Sequence, residues 1–423
     1  MSGRFKPGMH SVVRYASIRS RLSLLLVVLS TGSVAGPWAF GAGTLLAGGK
    51  ELAAPLAALE PFKEEISAIW RNTSEPNWAE NAATAGRVSG LLEKTKQIRA
   101  EILDGIKRNR IRPPELATLE SPGWFLFLEA AGRDAFRLFE VEMRFHQARG
   151  ETGPYLDACS AAMAVSRVFG RQPLGSTAAI PLNLERTVWR SVGDWLGSAN
   201  LSSQELGLAR ERLSSMGGTS VRLENVLKGD IALYRRSVKE LPDERLKRVF
   251  QNAPGDTVAE GELDRKELER DVVDFQLRCS RWLAQGFAKA KGEPEPRPRS
   301  LLLNNSLPCY GSIWRTELRT VVERDLTLLE AAFLKYRADR HKDPRSLEDL
   351  TESYLTKVPE DPFSGKPYLF EVTGDGYAIY SVGPDGKDDK GRSPLKPQPY
   401  RWDFPPEGDV ARFIPFPPDR KPD

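Results

Sequence analysis

Residues Gly383-Pro384-Asp385-Gly386-Lys387-Asp388-Asp389-Lys390-Gly391 place three carboxylates close together near the C-terminus. Calcium takes about six to eight oxygens from carboxylates, carbonyls and water. Asp385, Asp388 and Asp389, with the backbone carbonyl of Val382 and nearby turn groups, can supply them, so calcium is the candidate cofactor. The spacing is not that of an EF-hand. A solvated turn in which Gly and Asp serve backbone geometry accounts for the same residues. The sequence leaves both readings open.

Other chemistry is sparse. No GxSxG elbow, HExxH, P-loop or strand-linked GxGxxG occurs. His10, His146 and His341 have no Ser or Cys partner that the sequence can place. Cys159, Cys279 and Cys309 are an odd set without CxxC spacing, which argues against zinc and thioredoxin-like chemistry. In an oxidising compartment Cys279 and Cys309 are the pair nearer in sequence; buried free thiols are the other outcome. Carboxylate pairs such as Glu64–Glu65 and Asp388–Asp389 have no assignable acid and base roles without a pocket. The balance leans away from an enzyme.

The elements that must position any site are mostly helices. The expected fold class is mainly α: an irregular bundle or solenoid-like array, then a small α+β module with a β-hairpin. From Glu51 to about Ala290 apolar residues recur at three- and four-residue spacing. Helical stretches are expected at Trp78–Asn109, Trp124–Arg149, Tyr155–Phe169, Leu182–Leu196, Ser202–Met216, Ser220–Leu241 and Leu263–Ala290. Trp124, Phe125, Leu128, Phe136, Phe139, Met143 and Phe145 form an aromatic face that reads as core before it reads as a ligand groove. Ser202 to Glu205 is a capping region. No fixed repeat period emerges.

With 423 residues, 40% of them hydrophobic, the chain is long enough for two or three domains. Lys plus Arg is 61 and Asp plus Glu is 57, a net charge of +4. That even balance argues against nucleic acid as a partner. The ends differ from the middle. Arg4, Lys6, Arg14, Arg19 and Arg21 precede an uncharged stretch from Leu22 to Gly49. A basic flank before an apolar run reads as a signal peptide, with Ser33-Val34-Ala35 as a cleavage site, or as a membrane anchor. The expected location is the cell envelope, either anchored in the inner membrane or periplasmic and secreted.

Past the proline-bearing stretch Lys291–Ser300, Glu317–Tyr336 is an amphipathic helix with Leu318, Val321, Val322, Leu329, Phe333 and Tyr336 on one side. Ser346 and Asp349 suggest a capping box for a short helix, Leu347–Thr351. Tyr368–Val372 and Tyr377–Val382 are strand candidates around the turn Thr373-Gly374-Asp375-Gly376. The order of helix, Val358-Pro359-Glu360-Asp361-Pro362, Phe363-Ser364-Gly365-Lys366-Pro367-Tyr368, hairpin and Tyr380-Ser381-Val382-Gly383-Pro384-Asp385-Gly386 resembles the globular end of the type II secretion major pseudopilin, the G-type subunit. Similar segments close uncharacterised exported bacterial proteins behind long helical regions. The resemblance implies that the Asp-rich loop binds calcium and locks the C-terminal fold. It does not extend to the N-terminus, which lacks the pseudopilin processing site and its Glu. The resulting plan is 1–50 signal or anchor, 51–290 helical domain, 291–311 linker, 312–391 pseudopilin-like module and 392–423 Pro/aromatic-rich tail. In that tail Trp402, Phe404, Phe413 and Phe416 are expected anchors if it lies across the module.

The expected function is an envelope protein serving as a non-enzymatic interaction scaffold. Its expected partners are the membrane, through the N-terminal segment, and another protein. The alternatives are an exported hydrolase with its site in the helical block, and a secretion or pilus-assembly component.

Overall fold

Periodic apolar residues produce helices along most of the chain. A computed structural model describes residues 50–75, 77–108, 123–170, 174–175, 177–244, 246, 264–300, 308–391 and 408–417. The expected signal or anchor, and Trp402 and Phe404, lie outside these residues, as do the side chains of Trp124, Phe125 and Leu128. Among the described residues no helix is long and apolar enough to cross a membrane. The fold is mainly α, with a small antiparallel sheet at the C-terminal end.

The helices are α1 (Lys50–Ala57), α2 (Lys63–Asn72), α3 (Ala82–Lys94), α4 (Lys96–Arg108), α5 (Gly123–Ala148), α6 (Thr152–Gly170), α7 (Ala179–Ser198), α8 (Ser203–Ser215), α9 (Leu223–Glu240) and α10 (Arg265–Ala284). Trp78–Asn109 is therefore two helices rather than one. The break is at Thr95, whose buried hydroxyl donates back to the Leu91 carbonyl at 2.7 Å. The expected cap at α8 forms in full. Ser202 Oγ accepts from the Glu205 amide at 3.3 Å, and Glu205 Oε2 accepts from the Ser202 amide at 2.9 Å. Leu263–Ala290 also breaks: Gly286 sits at φ +75°, separating α10 from the single turn α11 (Phe287–Ala290).

Two apolar cores result. The first joins α1–α8, with Phe136, Phe139, Met143, Tyr155 and Trp189 each 2% exposed or less. The described part of the aromatic face on α5 is thus core. The second core joins α9, α10, α12 (Tyr310–Arg340) and the sheet. Helix α12 is longer than the amphipathic stretch expected and is buried on most of its faces. Ala331, at its middle, belongs to the first core, while Leu329 and Phe333 belong to the second. Buried threonines bind α12 to α7. Thr320 Oγ1 donates to Leu182 O and Thr327 Oγ1 to Trp189 O, each at 3.1 Å. The constant offset means that the two helices run parallel.

Residues 291–300 do not form a free extended linker. The amides of Arg299 and Ser300 donate to Asp271 at 3.0 and 2.6 Å. Glu295 accepts the first amide of α12, Tyr310 N, at 2.7 Å. Residues on both sides of this stretch share the second core.

The C-terminal strands are β1 (Glu360–Asp361), β2 (Lys366–Pro367), β3 (Leu369–Val372), β4 (Gly376–Ser381) and β5 (Val410–Pro415). The expected hairpin forms, pairing Leu369 with Tyr380 and Val372 with Tyr377. Strand β5 then pairs antiparallel on the other edge of β4, Gly376 with Pro415 and Ser381 with Val410. Of the tail, residues 408–417 are described; Phe416 packs edge-on against Tyr377 at 5.2 Å, whereas Phe413 is 45% exposed. The capping box at Ser346 does not form. Ser346 makes no cap bond, Asp349 accepts from the Arg345 amide at 2.9 Å, and Leu347–Leu350 is a 3-10 turn.

Candidate functional site

Two charged constellations stand out, one met by Asp409, the residue before β5, and the other by Arg412 within it. The first is the Asp-rich loop after β4. Asp385 Oδ1 accepts from the Lys387 amide at 3.1 Å, and the Asp385 carbonyl accepts from Lys291 Nζ at 2.7 Å. Asp388 Oδ1 accepts from the Lys390 amide at 2.9 Å and from the Tyr380 hydroxyl at 3.2 Å. Val382 donates its amide to Asp361 Oδ2 at 3.4 Å. Asp361 is 1% exposed and also accepts from the Phe363 amide and the Ser381 hydroxyl at 3.0 and 2.8 Å. The Asp361-Pro362-Phe363 phrase therefore ties the β1–β2 turn to the end of β4.

Sequence spacing missed one member of this loop, Asp409. It is 3% exposed and accepts from the Gly391 amide at 2.8 Å. Its Oδ1 has no hydrogen-bond partner among the described residues. Burial pushes its carboxyl up to about 6, and the charges of Asp389 and Asp388 add to that. Asp385 instead stays in its own turn, and no three acidic, His or Cys side chains converge at metal spacing among the described residues. The one available signal for Asp409 was an acid placed directly before an apolar run in a proline-rich tail.

The second constellation lies where β5 crosses α7 and α12. Arg412 reaches Glu323 Oε2 and Asp194 Oδ1 at 3.0 Å each, with Glu330 Oε2 at 3.9 Å. Arg190 reaches the other oxygen of Glu323 at 3.0 Å. Gly193 leaves the space that the Arg412 guanidinium fills. Glu323 and Glu330 are 6% and 2% exposed. The Arg412 and Arg190 charges outweigh desolvation at Glu323 and hold its carboxyl below the usual range. At Glu330 desolvation wins over Arg412, and its carboxyl is pushed up to about 8.

That shift has a sign. The folded state holds the Glu330 proton more tightly than the unfolded state, so Glu330 lowers stability progressively as pH rises from its ordinary 4.5 through about 8. Glu330→Gln removes this dependence. Urea unfolding should show the variant gaining stability on wild type between pH 5 and pH 9; a constant difference would mean that Glu330 does not titrate there.

Other buried acids, Asp230, Glu185 and Glu317 among them, hold backbone. Asp230 accepts from the Gly175 amide at 3.0 Å and the Tyr310 hydroxyl at 2.7 Å, and burial pushes it up to about 6. Glu185 accepts from the Ser220 amide at 3.1 Å and Glu317 from Leu223, the first residue of α9, at 2.8 Å. His146 Nδ1 lies 2.6 Å from Glu151, and His341 occupies a left-handed position closing α12. The three cysteines are free. Burial pushes the Cys279 thiol up to about 12, and the exposed Cys309 thiol donates to Glu295 at 3.3 Å. Of the Glu64–Glu65 pair, Glu65 binds Lys94 at 3.3 Å. A groove of about 560 Å³ between α9, α10 and α12 has an apolar floor at Leu227 and Trp314. Its rim cations are neutralised, Arg222 by Glu317 and Lys228 by Glu224 at 3.4 and 2.6 Å.

Comparison with protein-family models, curated proteins and solved structures gives no match.

Proposed function

We propose that the chain is an exported or membrane-anchored bacterial envelope protein that serves as a non-enzymatic interaction scaffold. Its C-terminal module, similar in motif order to the pseudopilin globular end, is closed by calcium. One observation carries the calcium reading: the buried, unpartnered Oδ1 of Asp409 beside Asp388 and Asp389. A hard cation suits such an oxygen set. Asp409, Asp388 and Asp389 would have to draw together to hold it, since no three acidic side chains stand at metal spacing among the described residues, and the ion would add to the charge of Lys390, which already meets Asp388 and Glu371. In its place Asp388 leans on Tyr380 and Lys390. Because Asp409 immediately precedes β5, the ion would fasten that strand to the loop. The helical block would present the partner-binding surface.

Thermal unfolding of the full chain in a neutral detergent, first with calcium and then with EDTA, tests this. A ligand at about 100 times its dissociation constant adds about 2.7 kcal/mol. Calcium should raise Tm in wild type. Asp409→Asn should abolish that rise, and in EDTA should be more stable than wild type at pH 7, because a carboxyl raised to about 6 is ionised there at a cost. An unchanged wild-type Tm would reduce Gly383–Gly391 to an ordinary turn.

A further inference from the structure

The groove between α9, α10 and α12 has the build of a small-molecule site. Leu223, Leu227 and Ile231, four residues apart on α9, form one wall. Helix α10 lines the other with Cys279, Ser280 and Ala284, none of them large. Small residues opposite long ones leave the gap unfilled. Its volume of about 560 Å³ falls within the range of about 300–1,000 Å³ usual for such sites. Leu223, Leu227, Ile231, Cys279 and Trp314 are each 7% exposed or less, so the groove reaches down to the second core. Burial pushes the Cys279 thiol up to about 12, so it stays neutral and adds apolar wall.

Three polar groups of this lining are unpaired. The Gln276 amide and the Ser280 hydroxyl lie one turn apart on α10 and make no hydrogen bond among the described residues. The Trp314 indole packs edge-on against Trp282 and Phe287 at 4.9 and 5.3 Å. Its N–H also has no partner among the described residues, and it is not sealed from solvent. A buried indole N–H usually has a partner, as its neighbour Trp282 shows by donating to Ala290 O at 3.2 Å. The rim charges, by contrast, cancel in pairs, Arg222 with Glu317 and Lys228 with Glu224. A charged ligand would enter this apolar floor without a free counter-ion, at the full cost of its desolvation.

We propose that the groove binds a small uncharged molecule with an apolar body and a carbonyl or carboxamide head. The body would cover Leu227, Ile231 and Trp314. The head would accept from the Trp314 N–H and the Ser280 hydroxyl and pair with the Gln276 amide. The site shares no residue with the Asp-rich loop and needs no calcium.

Fluorine NMR of the full chain in a neutral detergent tests this. The probes are 4-fluorobenzamide, 4-fluorobenzoate and 4-fluorobenzamidine, with protein-free micelles as the blank. The three share one ring and one shape and differ in charge. EDTA is present throughout, so this proposal and the calcium reading fail separately. Line broadening beyond the blank should be largest for the neutral amide. Its dissociation constant should lie about fivefold or more below those of both charged probes. Gln276→Leu should weaken amide binding about fivefold, the loss of one neutral hydrogen bond. Ser280 is exposed, so Ser280→Trp fills the groove without entering the core and should abolish the broadening. No broadening of the amide, equal broadening of all three probes, or amide binding unchanged in either variant would overturn the proposal.

Discussion

Replacing Arg412 by Met should lower the unfolding free energy by about 3–5 kcal/mol, the usual result of removing one partner from a buried ion pair. Arg412 reaches from β5 to α7 and α12, where it meets Glu323, Asp194 and Glu330 together. Without it Glu323 keeps Arg190, but Arg190 is about half exposed and cannot replace a desolvated partner. Glu330 is already mostly protonated at pH 7, since its carboxyl stands at about 8, and loses little. The loss therefore falls mainly on Glu323. Adding Glu323→Met should recover most of the stability, because replacing both partners by apolar groups is close to neutral. Urea unfolding at pH 7 reads both effects. If the single variant loses less than about 1 kcal/mol, a value typical of exposed pairs, β5 is not held by this cluster.

The second large effect is expected at two glycines, Gly376 at the start of β4 and Gly383 just past its end. Gly383 has φ +64°, and a Cβ there would run into the carbonyl of Gly408, with the carbonyl carbon at 3.0 Å. At Gly376 a Cβ would meet the Ile414 carbonyl, with Pro415 Cα at 2.8 Å. Both obstacles are backbone of β5 or of its lead-in, so neither can swing aside. Gly383→Ala combines a left-handed backbone with a clash and should cost about 3 kcal/mol or more. Gly365→Ala is the control, since Gly365 has φ +69° and nothing within 4 Å of a Cβ. It should cost only about 1 kcal/mol. Equal losses in the two variants would mean that the approach of Gly408 does not constrain Gly383.

Much of the fold was legible where pattern and position agreed. The helices of the first core follow their apolar spacing, the Ser202–Glu205 cap forms, and the hairpin turns at Thr373–Gly376. Failures came where long-range packing overrode local signals. Thr95 and Gly286 split helices whose apolar pattern runs on without pause. Strand β5 sits among prolines, and its pairing depends on β4, some thirty residues upstream. Helix α12 is flanked by both cores, so a one-sided amphipathic pattern describes only part of its buried surface. Its buried acids look like surface residues until Arg412 arrives from the far end of the chain. Likewise Asp385, Asp388 and Asp389 announced the loop, whereas Asp409 joins it through the chain reversal that brings β5 back to β4.

Strand β5 would close the C-terminal module through the Asp-rich loop at one end and the α7–α12 acids at the other. Amide hydrogen exchange of the full chain with calcium and with EDTA measures this strand by strand. Calcium should slow exchange at Tyr377, Ile379 and Arg412, whose amides lie in the β4–β5 ladder, and leave α5 and α6 unchanged. Arg412→Met should speed exchange in β5 under both conditions. Identical exchange in β5 with and without calcium, and in wild type and Arg412→Met, would contradict both fastenings.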